Sequence, residues 1–158
     1  MMSGCCTDRC ETPAPAPELG VCPLCGRKGK AVSMLTVKSL VKDHTRVAPA
    51  AYLFCRTPDC DAVYFSAGSV FRKADLKVRV GVKETEDPVP LCYCFDYTRA
   101  DVRRDIEERG TTEILEHVKA EVKAGYCACE VKNPSGDCCL GDITRAVQAT
   151  KAVLMASK

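Results

Sequence analysis

Thirteen cysteines stand among 158 residues that contain no tryptophan and only two histidines. Ten of them, from Cys22 onward, fall in close pairs or in short clusters separated by strand-like or helical sequence. "CPLCGRKGK" supplies Cys22 and Cys25, and "CRTPDCDAVYF" supplies Cys55 and Cys60. Two close pairs on two tight turns can offer four thiolates to one tetrahedral ion, the donor set of a closed structural zinc site. Gly26 follows the first pair and permits the left-handed backbone that such a turn often needs. A single iron suits the same donors. An open catalytic zinc position would call on His44, Asp59 or Asp61; the all-cysteine set points instead to a structural ion, with His44 at the surface.

Cys92 and Cys94 have one residue between them, a gap that lets both sulfurs reach one side of a small inorganic core such as a [2Fe–2S] cluster. Its other two thiolates must come from "GYCACEVKNPSGDCCLGDI", in which Cys127, Cys129, Cys138 and Cys139 compete for two places. "NPSG" is a strong turn signal that folds the two halves of this stretch together. A helix starting near Asp142 would aim its amino-terminal amides at an anionic core. Tyr93 and Phe95 flank the paired thiols, and His117 is expected on a helix surface.

Composition supports metal rather than disulfides. The net charge is +2, with no long charged run, which argues against a nucleic-acid partner. The first twenty residues, "MMSGCCTDRCETPAPAPELG", lack the apolar core of a signal peptide, and no stretch approaches the roughly 20 apolar residues that span a bilayer. The expected location is the cytoplasm, without membrane insertion. Reducing conditions there disfavour structural disulfides, and an odd cysteine count cannot pair completely.

The elements that must position these thiols divide the chain in three. Residues 1–20 read as a flexible arm carrying Cys5, Cys6 and Cys10 and alternating prolines. Residues 21–87 favour short strands in "AVSMLTVKSLV", "AYLF", "DAVYFSA" and "LKVRVGV", and the proline-containing connector "VKETEDPVP" ends this module. Residues 88–158 turn helical. Thr98 caps "RADVRRDIEER" with Asp101 as its capping-box partner and Gly110 as the stop. Thr111 or Thr112 opens a second helix whose apolar face is Ile114, Leu115, Val118 and Val122, closed by Gly125. A third helix carries Ile143, Val147 and Leu154. The fold class is therefore α+β: a small zinc-bound antiparallel β module, then a helical [2Fe–2S]-binding module with a carboxy-terminal helix.

From about Val21 to Leu140 the chain resembles the amino-terminal domain of CopZ-type copper chaperones. In that family a zinc-binding sheet module precedes a [2Fe–2S] module similar to bacterioferritin-associated ferredoxin. "CPLC", "FCRTPDCDAVYF", "VFRKADLKVRVGVKE", "CYC" and "NPSGDCC" carry the likeness in the family's order. The resemblance implies zinc on Cys22, Cys25, Cys55 and Cys60, and the cluster on Cys92, Cys94, Cys129 and Cys139, leaving Cys127 and Cys138 as spares. It also implies one-electron redox, reduction of Cu(II) to Cu(I), and a copper-transporting ATPase or other metal-handling protein as partner. An electron-transfer or regulatory protein of the bacterioferritin-associated ferredoxin type is the alternative, and a conventional enzyme is not expected. The family's copper-carrying "MTCxxC" loop has no match in these residues, so Cys5, Cys6 and Cys10 stand as the candidate soft-metal hook for Cu(I).

Overall fold

The computed structural model describes residues 20–157; the arm cysteines Cys5, Cys6 and Cys10 lie outside them. The fold is mixed α+β. Four short strands, β1 (Lys30–Val32), β2 (Tyr52–Phe54), β3 (Ala62–Phe65) and β4 (Val70–Arg72), form an antiparallel sheet in sequence order. Leu53 pairs with Phe65 and Phe54 with Tyr64, and a register shift between Ala62 and Tyr64 bends β3. All four residues of β3 are buried. Val63 and Tyr64 enter a core with Val37, Val41, Tyr52, Phe54, Phe71 and Val80. Ala62 and Phe65 instead pack around Cys22, Cys55 and Cys60.

Two segments depart from the strand pattern expected of them. "AVSMLTVKSLV" gives β1 and then a helix, α1 (Met34–Leu40). The Ser33 side chain accepts from the Thr36 amide and caps it, and Thr36, Val37 and Leu40 are buried at helical spacing. "LKVRVGV" forms no strand: Leu76 makes a lone bridge to Val41, and Gly81–Lys83 is a single 3-10 turn. The fourth strand lies earlier, at "VFR".

Beyond the connector a two-stranded antiparallel ribbon, β5 (Pro90–Cys92) and β6 (Tyr97–Thr98), leads into α2 (Arg99–Arg109). The Thr98 and Asp101 side chains form a reciprocal capping box, and Gly110 closes the helix at φ 76°. Next come α3 (Ile114–Lys123), the short α4 (Cys129–Lys132) and α5 (Leu140–Ala156), which starts two residues before Asp142. Leu91, Val102, Ile106, Ile114, Val118 and Ile143 make a second core, against which Leu115, Val122, Val147 and Leu154 pack. No helix among the described residues is long and apolar enough to cross a membrane.

The two cores are tied together at the "NPSG" turn. The wholly buried Tyr64 donates its hydroxyl to the Pro134 carbonyl at 2.5 Å. Lys30 donates to the Ser135 carbonyl at 3.0 Å and ion-pairs with Asp137. Helix α1 packs on α4, and Ser33 reaches Glu130 at 3.3 Å.

Candidate metal centres

Cys22 and Cys25 sit on a tight turn whose ends pair at Val21 and Lys28. The Gly26 amide donates to the Cys22 carbonyl at 2.8 Å, and Gly26 takes φ 73°. Cys55 follows β2 directly, and Cys60 precedes β3 by two residues, so the β2–β3 connection delivers both sulfurs to the first turn. The Cys22 and Cys60 sulfurs are 3.9 Å apart, and those of Cys25 and Cys55 3.7 Å apart. All four lie within 4.8 Å of one another. Four sulfurs placed tetrahedrally around zinc at its usual bond length stand about 3.8 Å apart. The donor set and its spacing therefore fit a single tetrahedral ion.

The thiols are not equivalent. The Thr57 hydroxyl, 3.3 Å from the Cys25 sulfur, is the main reason that thiol is lowered to about 6. Burial pushes Cys60 up to about 12 and also raises Cys22. Backbone amides soften that penalty, those of Cys25 and Leu24 toward Cys22 and that of Ala62 toward Cys60. A metal cation replaces those protons and removes the penalty.

The second group of cysteines is arranged differently. Cys92 ends β5, Cys94 lies in the ribbon turn, Cys129 opens α4, and Cys139 is the residue before α5. Cys94 and Cys129 are 3.6 Å apart and Cys92 and Cys139 3.3 Å apart. Among the described residues no third His, Cys, Asp or Glu joins either pair to make a group like the first. The four thus form two stations of two sulfurs. The Ala128 amide donates to Cys94 at 3.2 Å. The Cys139 thiol donates to Cys92, which lowers Cys92 to about 6; the same contact and burial raise Cys139, and burial raises Cys129 to about 12.

The remaining residues singled out from sequence fall outside both groups. Cys127 is half-buried and Cys138 exposed. His44 is exposed, and the His117 Nδ1 meets the Tyr97 hydroxyl at 2.7 Å on the surface of α3. Phe95 packs near His117, whereas Tyr93 turns back toward the first module, where its hydroxyl accepts from the Gly81 amide and donates to the Arg79 carbonyl. One participant missed in the sequence is Thr57, whose place between the two cysteines of "CRTPDC" was available as a signal. Another is Lys83, for which the connector's polar composition offered none.

Comparison with known proteins agrees with metal binding by the first, four-cysteine group. Residues 19–77 match a CopZ-type family described as a zinc binding domain. Over 119 residues the chain is 40% identical to the copper chaperone CopZ of Archaeoglobus fulgidus, an alignment covering 75% of this chain and 57% of that protein. The chain thus spans little more than half the length of that relative. The X-ray structure of the Archaeoglobus fulgidus CopZ N-terminal domain superposes with a TM-score of 0.67 at 38% identity, covering 79% of this chain and 95% of that one.

Proposed function

Because the chain belongs to the family of CopZ-type zinc-binding domains, we propose that it is a metallochaperone-like protein with a zinc centre and a [2Fe–2S] centre that handles copper. In this reading residues 21–87 are the zinc module, with the ion on Cys22, Cys25, Cys55 and Cys60. Residues 88–158 are the cluster module, with Cys94 and Cys129 on one iron and Cys92 and Cys139 on the other. The observation that carries the second assignment is the division of four sulfurs into two pairs, 3.6 and 3.3 Å apart, that do not merge into one shell. A binuclear core takes two thiolates on each iron.

When bound, such a cluster supplies one-electron exchange, the stoichiometry that converts Cu(II) into the Cu(I) form carried by thiolates. The chain's own residues set the conditions. Leu91, Val102 and Ile143 bury the Cys92 and Cys139 side of the site and exclude water. Unsatisfied amides at the start of α5, immediately after Cys139, favour negative charge there. Copper would reach a copper-transporting ATPase or another metal-handling protein, with Cys5, Cys6 and Cys10 as its carrier. A second reading, an electron-transfer or regulatory protein without a copper role, is favoured by one observation. The two thiols left over among the described residues, the half-buried Cys127 and the exposed Cys138, join no group that could hold a metal ion.

The test begins with protein prepared without oxygen, expected to hold about one zinc and about two irons per chain and to show a one-electron resonance signal on reduction. C129S or C139S should abolish the iron signal, whereas C127S and C138S should keep it. Loss of iron in C127S or C138S with retention in C129S would overturn the ligand assignment. Cu(I) competition on a chain with serines at positions 5, 6 and 10 separates the two functions: unchanged copper retention removes the proposed carrier.

A further inference from the structure

Lys83 is the only buried charged residue among the described residues, at 5% exposure. Its ammonium donates to the Thr57 carbonyl at 2.7 Å and to the Cys60 carbonyl at 3.0 Å. Among the described residues it has no ion-pair partner, and its neighbour Glu84 is committed to Lys73 and Arg79. An ammonium has three donors and a full charge, and burying that charge without a counter-charge is strongly unfavourable. The two carbonyls belong to the loop whose ends supply Cys55 and Cys60, so the buried cation is anchored to the wall of the first metal site.

That site carries the opposite charge. A divalent ion with four thiolates has a net charge of −2, enclosed by the buried Cys22, Cys55 and Cys60. We infer that Lys83 is the counter-charge of the first metal centre and a positioning residue for it, an assignment that rests on the zinc reading above. Lys83 makes no hydrogen bond to a sulfur, so it acts through its field and through the loop. It draws the negative ends of the Thr57 and Cys60 carbonyl dipoles toward itself and offsets the surplus charge of the thiolates.

The backbone that delivers Lys83 is built for this reach. Gly81–Lys83 is a 3-10 turn whose last residue is buried. Its first amide is held by the Tyr93 hydroxyl at 2.9 Å, and a Cβ on Gly81 would overlap the Pro90 carbonyl oxygen. The cation therefore comes from outside the cysteine-bearing turns, on a segment fixed from the opposite side by a residue lying between Cys92 and Cys94.

The experiment compares Lys83→Gln, which keeps an N–H donor but loses the charge, with Lys83→Arg, which keeps both, in the full chain. Zinc retention is measured against a chromophoric chelator, with cobalt(II) absorption reporting tetrahedral sulfur coordination. K83Q is expected to lose zinc about tenfold more readily, and K83R to stay within about threefold of wild type. A K83Q chain that neither folds nor takes up zinc while K83R does both supports the assignment equally, because the donor was kept and the charge was not. Equal retention by the two variants, or failure of both, overturns it. Absence of zinc from the wild-type chain would remove the zinc reading itself, a result distinct from equal variants in a chain that binds.

Discussion

Thr57→Val isolates the one thiol of the first site that is already poised to bind metal. The Thr57 hydroxyl is 3.3 Å from the Cys25 sulfur, and this bond is the largest cause of the fall from the ordinary 9.0 to about 6. Zinc binds thiolates and displaces protons, so each thiol still protonated at the working pH adds about tenfold in affinity per pH unit gained. Cys22 and Cys60, both raised by burial, remain protonated near neutrality and contribute about 100-fold per unit between them. Cys25, half ionised at about pH 6, contributes progressively less above it. In T57V the Cys25 thiol moves back toward 9.0 and becomes a further displaced proton. The apparent zinc affinity should then fall about 10- to 100-fold at neutral pH and rise about tenfold more steeply per unit than in wild type. Competition with a chromophoric chelator between about pH 6 and pH 8 measures both quantities, and Thr57→Ser, which keeps the hydroxyl, should restore them. Parallel pH curves for T57V and wild type would refute the reasoning.

Two further perturbations probe the scaffold. Tyr64→Phe removes the buried hydroxyl that holds the Pro134 carbonyl and should cost about 1–2 kcal/mol, or about 2–8 °C in melting temperature of the metal-loaded chain. Tyr52→Phe removes only a local bond to Ala48 and should cost less; equal effects would mean that Tyr64 does not join the two cores. Gly81→Ala forces a methyl group against the Pro90 carbonyl and should destabilise by about 1–3 kcal/mol in chemical unfolding. Gly68→Ala, whose Cβ meets nothing within 4 Å, should stay within about 0.5 kcal/mol of wild type.

What could be read from the residues alone follows from how local each cause is. Helix α2 was legible end to end because its cap, box partner and stop are residues of the helix or its immediate flanks: Thr98, Asp101 and Gly110. The face of α3 was legible because Ile114 and Val118 repeat at helical spacing. Helix α1 was not, since β-branched Thr36 and Val37 suit a strand by propensity. Capping by Ser33 and burial of one helical face decide otherwise. "LKVRVGV" departs in the opposite way: its alternation is real, but among the described residues it pairs only through the single Leu76–Val41 bridge. Tyr93 instead fixes the backbone at Gly81, and Lys83 is carried inward. The ribbon of β5 and β6 and the four-residue α4 are too short for any periodicity to announce them.

Spacing along the chain also accounts for the contrast between the two cysteine groups. Cys22 and Cys25 lie on one tight turn, and Cys55 and Cys60 on one connection between adjacent strands, so two loops suffice to close a single shell. Cys92 and Cys94 sit where an extended strand passes into its turn, and each meets a different distant sulfur, Cys139 and Cys129 respectively. A one-residue gap there lets each thiol meet its own distant partner, the arrangement that the proposed binuclear core would use. The partners arrive on separate helices, and only packing can fix their separation. Helix α5 reaches its place through Ile143, packed with Val102, Ile106, Ile114 and Val118, while α4 is pinned to the first module through α1. The first site can therefore be assembled by the ion it binds, whereas the second depends on a core that Cys92 and Cys139 share with Leu91, Val102, Ile106, Ile114, Val118 and Ile143. Truncating Ile143 should accordingly disturb the Cys92 and Cys139 station while leaving zinc at the first site in place.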